Sequence, residues 1–213
     1  MIKSILTGVV ALAAVFLIFA ATRPDTFRVE RSTTIAAPPE KVHALINDFG
    51  QWPSWSPYEK KDPAMKRIRS GPPAGEGAVY AWEGNGEIGK GRMEIIEATP
   101  TSIRIRLDFA EPFEAHNIAE FTLSPKGDST RVTWAMHGPN NFVGKMIQTV
   151  IDMDDMVGKD FEAGLASLKA LTERRAGLQP DTALASGDPQ GDGVEHRGAN
   201  LGIRAAAARP HVE

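Results

Sequence analysis

Polar and apolar residues alternate with a period of two through most of the middle of the chain. The runs are "FRVERSTTI", "AMKRIRS", "GAVYAWEG", "KGRMEIIEA", "SIRIRLDF", "EAHNIAEFTLS" and "TRVTWAMHG". Such alternation marks strands with one dry and one wet face. The dry set is Tyr80 and Trp82; Met93 and Ile95; Ile103, Ile105, Leu107 and Phe109; Asn117, Ala119, Phe121 and Leu123; Val132, Trp134 and Met136. Short turns such as "SPKGDST" join successive runs, which predicts an antiparallel meander rather than parallel βαβ units. A helix is predicted in "APPEKVHALIND", with Pro39 in its first turn and Val42, Leu45 and Ile46 on one face. A second helical stripe runs through Met146, Val150, Met153, Val157, Phe161, Gly164, Leu168 and Leu171 at steps of three or four. As one rod from Phe142 to Leu171 it would be about 45 Å long, so a break is expected near Asp152 to Asp155. The acidic residues there suit a new helix N-terminus. Gly158 and Gly164 either permit close approach to the sheet or leave room for a ligand.

The two ends differ from this middle. Residues Ser4 to Thr22 carry no charge and are long enough to cross a bilayer core, at ~20 residues for ~30 Å. The segment 1–23 reads as an N-terminal membrane anchor, the alternative being a signal peptide. Cleavage after Ala20 or Ala21 would put Ile18 or Phe19 where a small residue is expected, which favours an uncleaved anchor. Positive charges on both flanks leave orientation open. Residues 174–213 hold no aromatic residue, are rich in Gly, Pro and Asp, and read as a disordered tail.

Composition narrows the function classes. A net charge of -3 gives no basic footprint for nucleic acid, and the absence of cysteine excludes disulfides and thiolate chemistry. Gly84, Gly86 and Gly89 match a dinucleotide-loop spacing but run into a strand, so they read as a hairpin turn. The five histidines show no metal-ligand spacing. His116 and His137 fall on neighbouring strands of the wet face and read as surface residues. No nucleophile elbow or inward acid-base pair is evident, so neither catalytic residues, nor a metal site, nor a cofactor is expected. The basic run "EKKDPAMKRIR" reads as a solvated strand and loop.

The order strand, helix, tryptophan-containing turn, meander and C-terminal helix resembles the SRPBCC superfamily, within it the polyketide cyclase/dehydrase-like, START-related helix-grip proteins. The stretches that carry the resemblance are "APPEKVHALINDFGQWPSWSPY", "TRVTW" and "GLASLKAL", and it spans residues 27–172. It implies an α+β helix-grip fold in which a curved antiparallel sheet of about six or seven strands wraps a long C-terminal helix, here preceded by a transmembrane helix. It also implies a hydrophobic cavity. Trp55, Tyr80, Trp82, Met93, Phe109, Asn117, Phe121, Trp134, Met136, Met146, Met153, Val157 and Phe161 are the candidates to line it or to fill a solid core. Trp55, following Pro53, is expected at the rim with partial exposure. The reading is a membrane-tethered binding module whose partners are a hydrophobic small molecule or lipid and the membrane. The alternative is a cyclase/dehydrase-like enzyme acting on such a ligand, with Tyr80, His116 or Asn117 as its polar groups.

Overall fold

The computed structural model describes residues 2–150 and 152–177. Helix α1 (Ile2–Ala21) leads into strand β1 (Thr26–Ile35), helix α2 (Pro39–Ile46), a 3₁₀ turn at Trp52–Ser54 and a one-turn helix α3 (Tyr58–Lys61). The meander follows as β2 (Lys66–Ser70), β3 (Val79–Glu83), β4 (Lys90–Thr99), β5 (Ser102–Glu111), β6 (Ala115–Lys126) and β7 (Ser129–Pro139). Helices α4 (Phe142–Val150) and α5 (Met153–Gly177) complete the described chain. The seven strands form one antiparallel sheet in the order β1-β7-β6-β5-β4-β3-β2. The alternation predicted this meander, and with α5 it makes the helix-grip architecture that the resemblance implied. The Gly84, Gly86 and Gly89 stretch is the β3–β4 turn, closed by Gly84 N–H donating to the Gly89 carbonyl at 2.9 Å.

The break between α4 and α5 falls where the acidic run begins. Asp152 Oδ1 accepts from the Asp155 N–H at 3.0 Å, so its side chain caps the new helix. Asp154 and Asp155 occupy the first turn, where the helix dipole favours them. Asp154 and Glu162 also grip Arg31 of β1 at 3.0 and 2.8 Å, pinning α5 across that strand. This guanidinium holds the Asp154 carboxyl below its usual range. The helix α5 continues to Gly177, so residues 174–177 of the predicted tail are helical; the rest of that tail lies outside the described residues.

Register divides the dry face of the sheet into rows. Ile103, Phe121 and Trp134 pair across β5, β6 and β7, and Leu123 pairs with Val132. These rows are buried under α2, the tryptophan turn and α5, with Trp134 stacked on Phe161 at 4.1 Å and on Phe121 at 4.9 Å. Gly164 is where α5 touches the sheet, since a Cβ there would lie 2.7 Å from the Trp134 ring. That settles the role of this glycine as close approach.

Trp55 departs from expectation. It is 0% exposed, not at a rim. The last carbonyls of α2 lack partners within the helix. The two indoles supply them: Trp55 Nε1 donates to the Leu45 carbonyl at 3.1 Å and Trp52 Nε1 to that of Ile46 at 2.9 Å. The polar edge of each ring is thereby satisfied, which lets both sink into the core.

Candidate functional site: a cavity between sheet and helices

Two further rows of the dry face are not covered by packed side chains. Tyr80, Met93, Leu107 and Asn117 pair in succession across β3 to β6. Trp82, Gly91, Phe109 and Ala115 form the next row. Gly91 is required here because the Trp82 indole folds over it, 2.5 Å from where a Cβ would stand. Above these rows lies a cavity of about 920 Å³. Met153, Val157 and Asp160 of α5 and Val143, Ile147 and Gln148 of α4 form its roof. The α3 region closes one side, and the β3–β4 and β5–β6 hairpins border the mouth.

Most of the lining is apolar; polar groups stand at both ends of the first row, with others at the mouth and in the α4 roof. On the α3 side Glu59, itself buried, accepts the Tyr80 hydroxyl at 2.6 Å through Oε1 and the Arg67 guanidinium at 2.8 Å through Oε2. Burial, and then the hydrogen bond to Glu59, raise the Tyr80 hydroxyl well above the usual tyrosine range. The neighbouring Tyr58 hydroxyl is raised in the same direction by burial and by the Asp160 charge. Asp160 pairs with Lys61 at 2.7 Å. At the other end of the same row stands Asn117, only 7% exposed. Its side-chain amide lines the cavity. Gly138 lets it sit there, because a Cβ at that position would strike Asn117 Oδ1. Three strand spacings separate Tyr80 from Asn117, ~14 Å along the sheet, with Met93 and Leu107 between them.

Of the residues singled out in the sequence, Tyr80, Trp82, Met93, Phe109, Asn117, Trp134, Met136, Met153 and Val157 line this cavity. Trp55, Phe121 and Phe161 lie in the packed rows behind it. Met146 sits half-buried on α4 outside the lining. The sequence reasoning missed Glu59, whose short stretch "YEKK" has the look of a solvated turn, and the whole of α4 as roof. His116 is exposed near the mouth, with its ring Nδ1 2.8 Å from Asp108 Oδ1. It pairs in register with Asp108, while His137 pairs with Ile118, so the two histidines are offset. No group of three metal-binding side chains comes together among the described residues.

A family model described as polyketide cyclase / dehydrase and lipid transport matches residues 26–173. The chain belongs to this family. The match takes in every strand of the sheet and all of α2 to α4, so the cavity lies within the family portion of the chain. No curated protein matches the chain. Among solved structures, the di-domain ARO/CYC StfQ from the steffimycin biosynthetic pathway superposes with a TM-score of 0.54 at 10% identity. The alignment covers 72% of this chain and 52% of StfQ. A Staphylococcus aureus protein of unknown function gives 0.52 at 11% identity, covering 72% of this chain and 97% of that one. The Aha1 dimer from Colwellia psychrerythraea gives 0.51 at 16% identity, covering 69% and 96%. At these identities the likeness is one of fold. Family membership brings with it the binding of a small hydrophobic ligand. Outside the matched region, α1 is long and apolar enough to cross a membrane, and all of it except Phe16 and Ala20 is exposed.

Proposed function

We propose that this chain is a membrane-tethered binding module for an apolar small molecule or lipid, with segment 1–23 as its anchor and residues 27–172 as its binding domain. The observation that carries the reading is the cavity itself. At about 920 Å³ it lies toward the upper end of ligand pockets, which run ~300 to 1,000 Å³, and its floor is methionine, leucine and aromatic side chains. The Asn117 amide, which lines the cavity, adds specificity: it can both donate and accept, and a ligand hydroxyl or carbonyl would answer it. An elongated amphiphile with one hydrogen-bonding group answers both features.

A second reading, a cyclase/dehydrase-like enzyme, draws on the Glu59 and Tyr80 pair inside the cavity. Both Glu59 oxygens are already engaged, by Tyr80 and by Arg67. With its hydroxyl raised so far, Tyr80 keeps its proton at neutral pH. The pair therefore presents neither a free base nor a ready acid, and binding is the better supported reading.

The test is native mass spectrometry of the full chain purified in detergent, together with displacement of a fluorescent fatty-acid analogue. A co-purifying amphiphile and saturable uptake of the probe are expected. Leu107→Trp, in the middle of the floor, should weaken uptake at least tenfold, whereas Asn117→Leu should keep uptake of plain hydrocarbon probes and lose preference for those with a polar group. If the wild-type chain takes up no apolar probe and carries no bound molecule, the binding reading falls.

A further inference from the structure

We propose that the mouth of the cavity rests on the bilayer that holds α1, and that α4 is the surface through which ligand passes between lipid and cavity. This rests on the binding reading above and adds the partner and the face.

Helix α1 has 20 residues, about 30 Å of helix and thus one hydrocarbon thickness. It packs against α4, and its residues that are not exposed, Phe16 and Ala20, fall in its second half. The connector that follows has no slack. The Pro24 carbonyl accepts from Asn140 Nδ2 at 3.0 Å, and the Asp25 carbonyl accepts from the Asn140 N–H at 2.7 Å. Asp25 also forms an ion pair with Lys145 in α4. If α1 spans the bilayer, these bonds hold α4 at the boundary where α1 leaves it.

The surface held there is apolar where a soluble surface would be polar. No residue of α4 is buried, and Phe142 and Val150 stand 48% and 75% exposed. Phe113 at the tip of the β5–β6 hairpin and Met156 in α5 are exposed as well. Phe113, Val143 and Met156 also line the cavity, so the apolar surface and the mouth are one feature. Exposed apolar patches of this kind mark membrane or protein contacts, and the tether to α1 selects the membrane. Glu87 and Glu114 flank the mouth. The contact is therefore shallow and hydrophobic, and anionic lipid does not strengthen it. The β6–β7 turn lies ten residues along β7 from Pro139, ~33 Å away, and stays in water.

The chain has no cysteine, so single-cysteine variants of the full chain can be spin-labelled without background. Phe113→Cys, Phe142→Cys and, in the β6–β7 turn, Asp128→Cys would be reconstituted in phosphatidylcholine vesicles. Collisions with oxygen, which concentrates in lipid, are then compared with collisions with a water-soluble nickel chelate. The expected result is oxygen-dominated collisions at 113 and 142 and nickel-dominated collisions at 128, unchanged when phosphatidylserine is added. Nickel-dominated collisions at all three sites in chains that float with the vesicles would overturn the proposal while leaving the tether intact. Protection from both reagents at 113 and 142 that grows with protein-to-lipid ratio would assign the face to a second copy instead. Failure to float would remove the tether and this proposal together, while probe uptake in detergent reports on the cavity separately.

Discussion

Two tryptophans that look alike in sequence face opposite situations at their ring nitrogens. Trp55 Nε1 is bonded to the Leu45 carbonyl, whereas Trp134 Nε1 is buried with no partner among the described residues. Both rings are buried, so replacing either with Ala should cost ~3 to 5 kcal/mol. Replacement with Phe separates them. Trp55→Phe strands a helix-end carbonyl, while Trp134→Phe removes an unsatisfied donor. Trp55→Phe should therefore be the more destabilising by about 1 to 2 kcal/mol, read from urea unfolding midpoints; equal losses would mean that the α2 capping bond contributes nothing. His116 gives a second check. Its hydrogen bond to Asp108 raises the imidazole above the ordinary histidine value, so the pair favours the protonated ring. Its contribution is fully present below the unfolded value of ~6.5 and is lost as pH rises through the higher folded value. A titration of the ring by NMR should show a midpoint above that reference, and Asp108→Asn should bring it down. An unmoved midpoint would place the cause elsewhere.

At the scale of elements, α5 is fitted to the sheet by its two buried glycines in different ways. At Gly164 a new Cβ would meet the Trp134 ring and the Pro57 ring at 2.7 and 2.9 Å, both fixed in the core. At Gly158 it would meet the guanidinium of Arg31, which can move aside only by giving up its bonds to Asp154 and Glu162, partly exposed pairs worth ~0 to 1 kcal/mol each. Alanine gains ~1 kcal/mol of helix propensity at either site, so the sign depends on what must move. Gly164→Ala should lose ~1 to 3 kcal/mol through over-packing, and Gly158→Ala should fall within about 1 kcal/mol of wild type, as measured by thermal unfolding. A neutral Gly164→Ala would show that the helix can ride outward. These contacts also indicate what the sequence could reveal. Alternation named the dry face correctly on every strand from Tyr80 to Met136, because a period of two follows directly from the pleat. It could not tell the filled rows from the empty ones. Phe121 and Leu107 carry the same pattern, and only the α2 and tryptophan turn lying over one end of the sheet makes the first core and the second cavity floor. Glu59 stayed hidden because a carboxylate in a four-residue helix has no periodicity to give it away.

Across the whole molecule the described chain has one strongly held part and one weakly held part. The sheet and α5 share a buried core and the Arg31 clamp, and none of that depends on α1. Helix α4 buries no residue and is held chiefly by α1, the Asn140 bonds and the Lys145 to Asp25 pair. A chain begun at Thr26 keeps the first set and loses most of the second. Its sheet and α5 should therefore unfold within a few degrees of the full chain in detergent. Hydrogen exchange in α4 should rise sharply, because local opening follows the contacts that an element keeps. The same truncated chain should still take up an apolar probe, since the floor rows and α5 are intact, but should release it faster with the roof loosened. Retained protection of α4 after truncation would mean that it is held by the cavity edge alone. A collapse of the sheet would mean that α1 contributes to folding and is more than a tether.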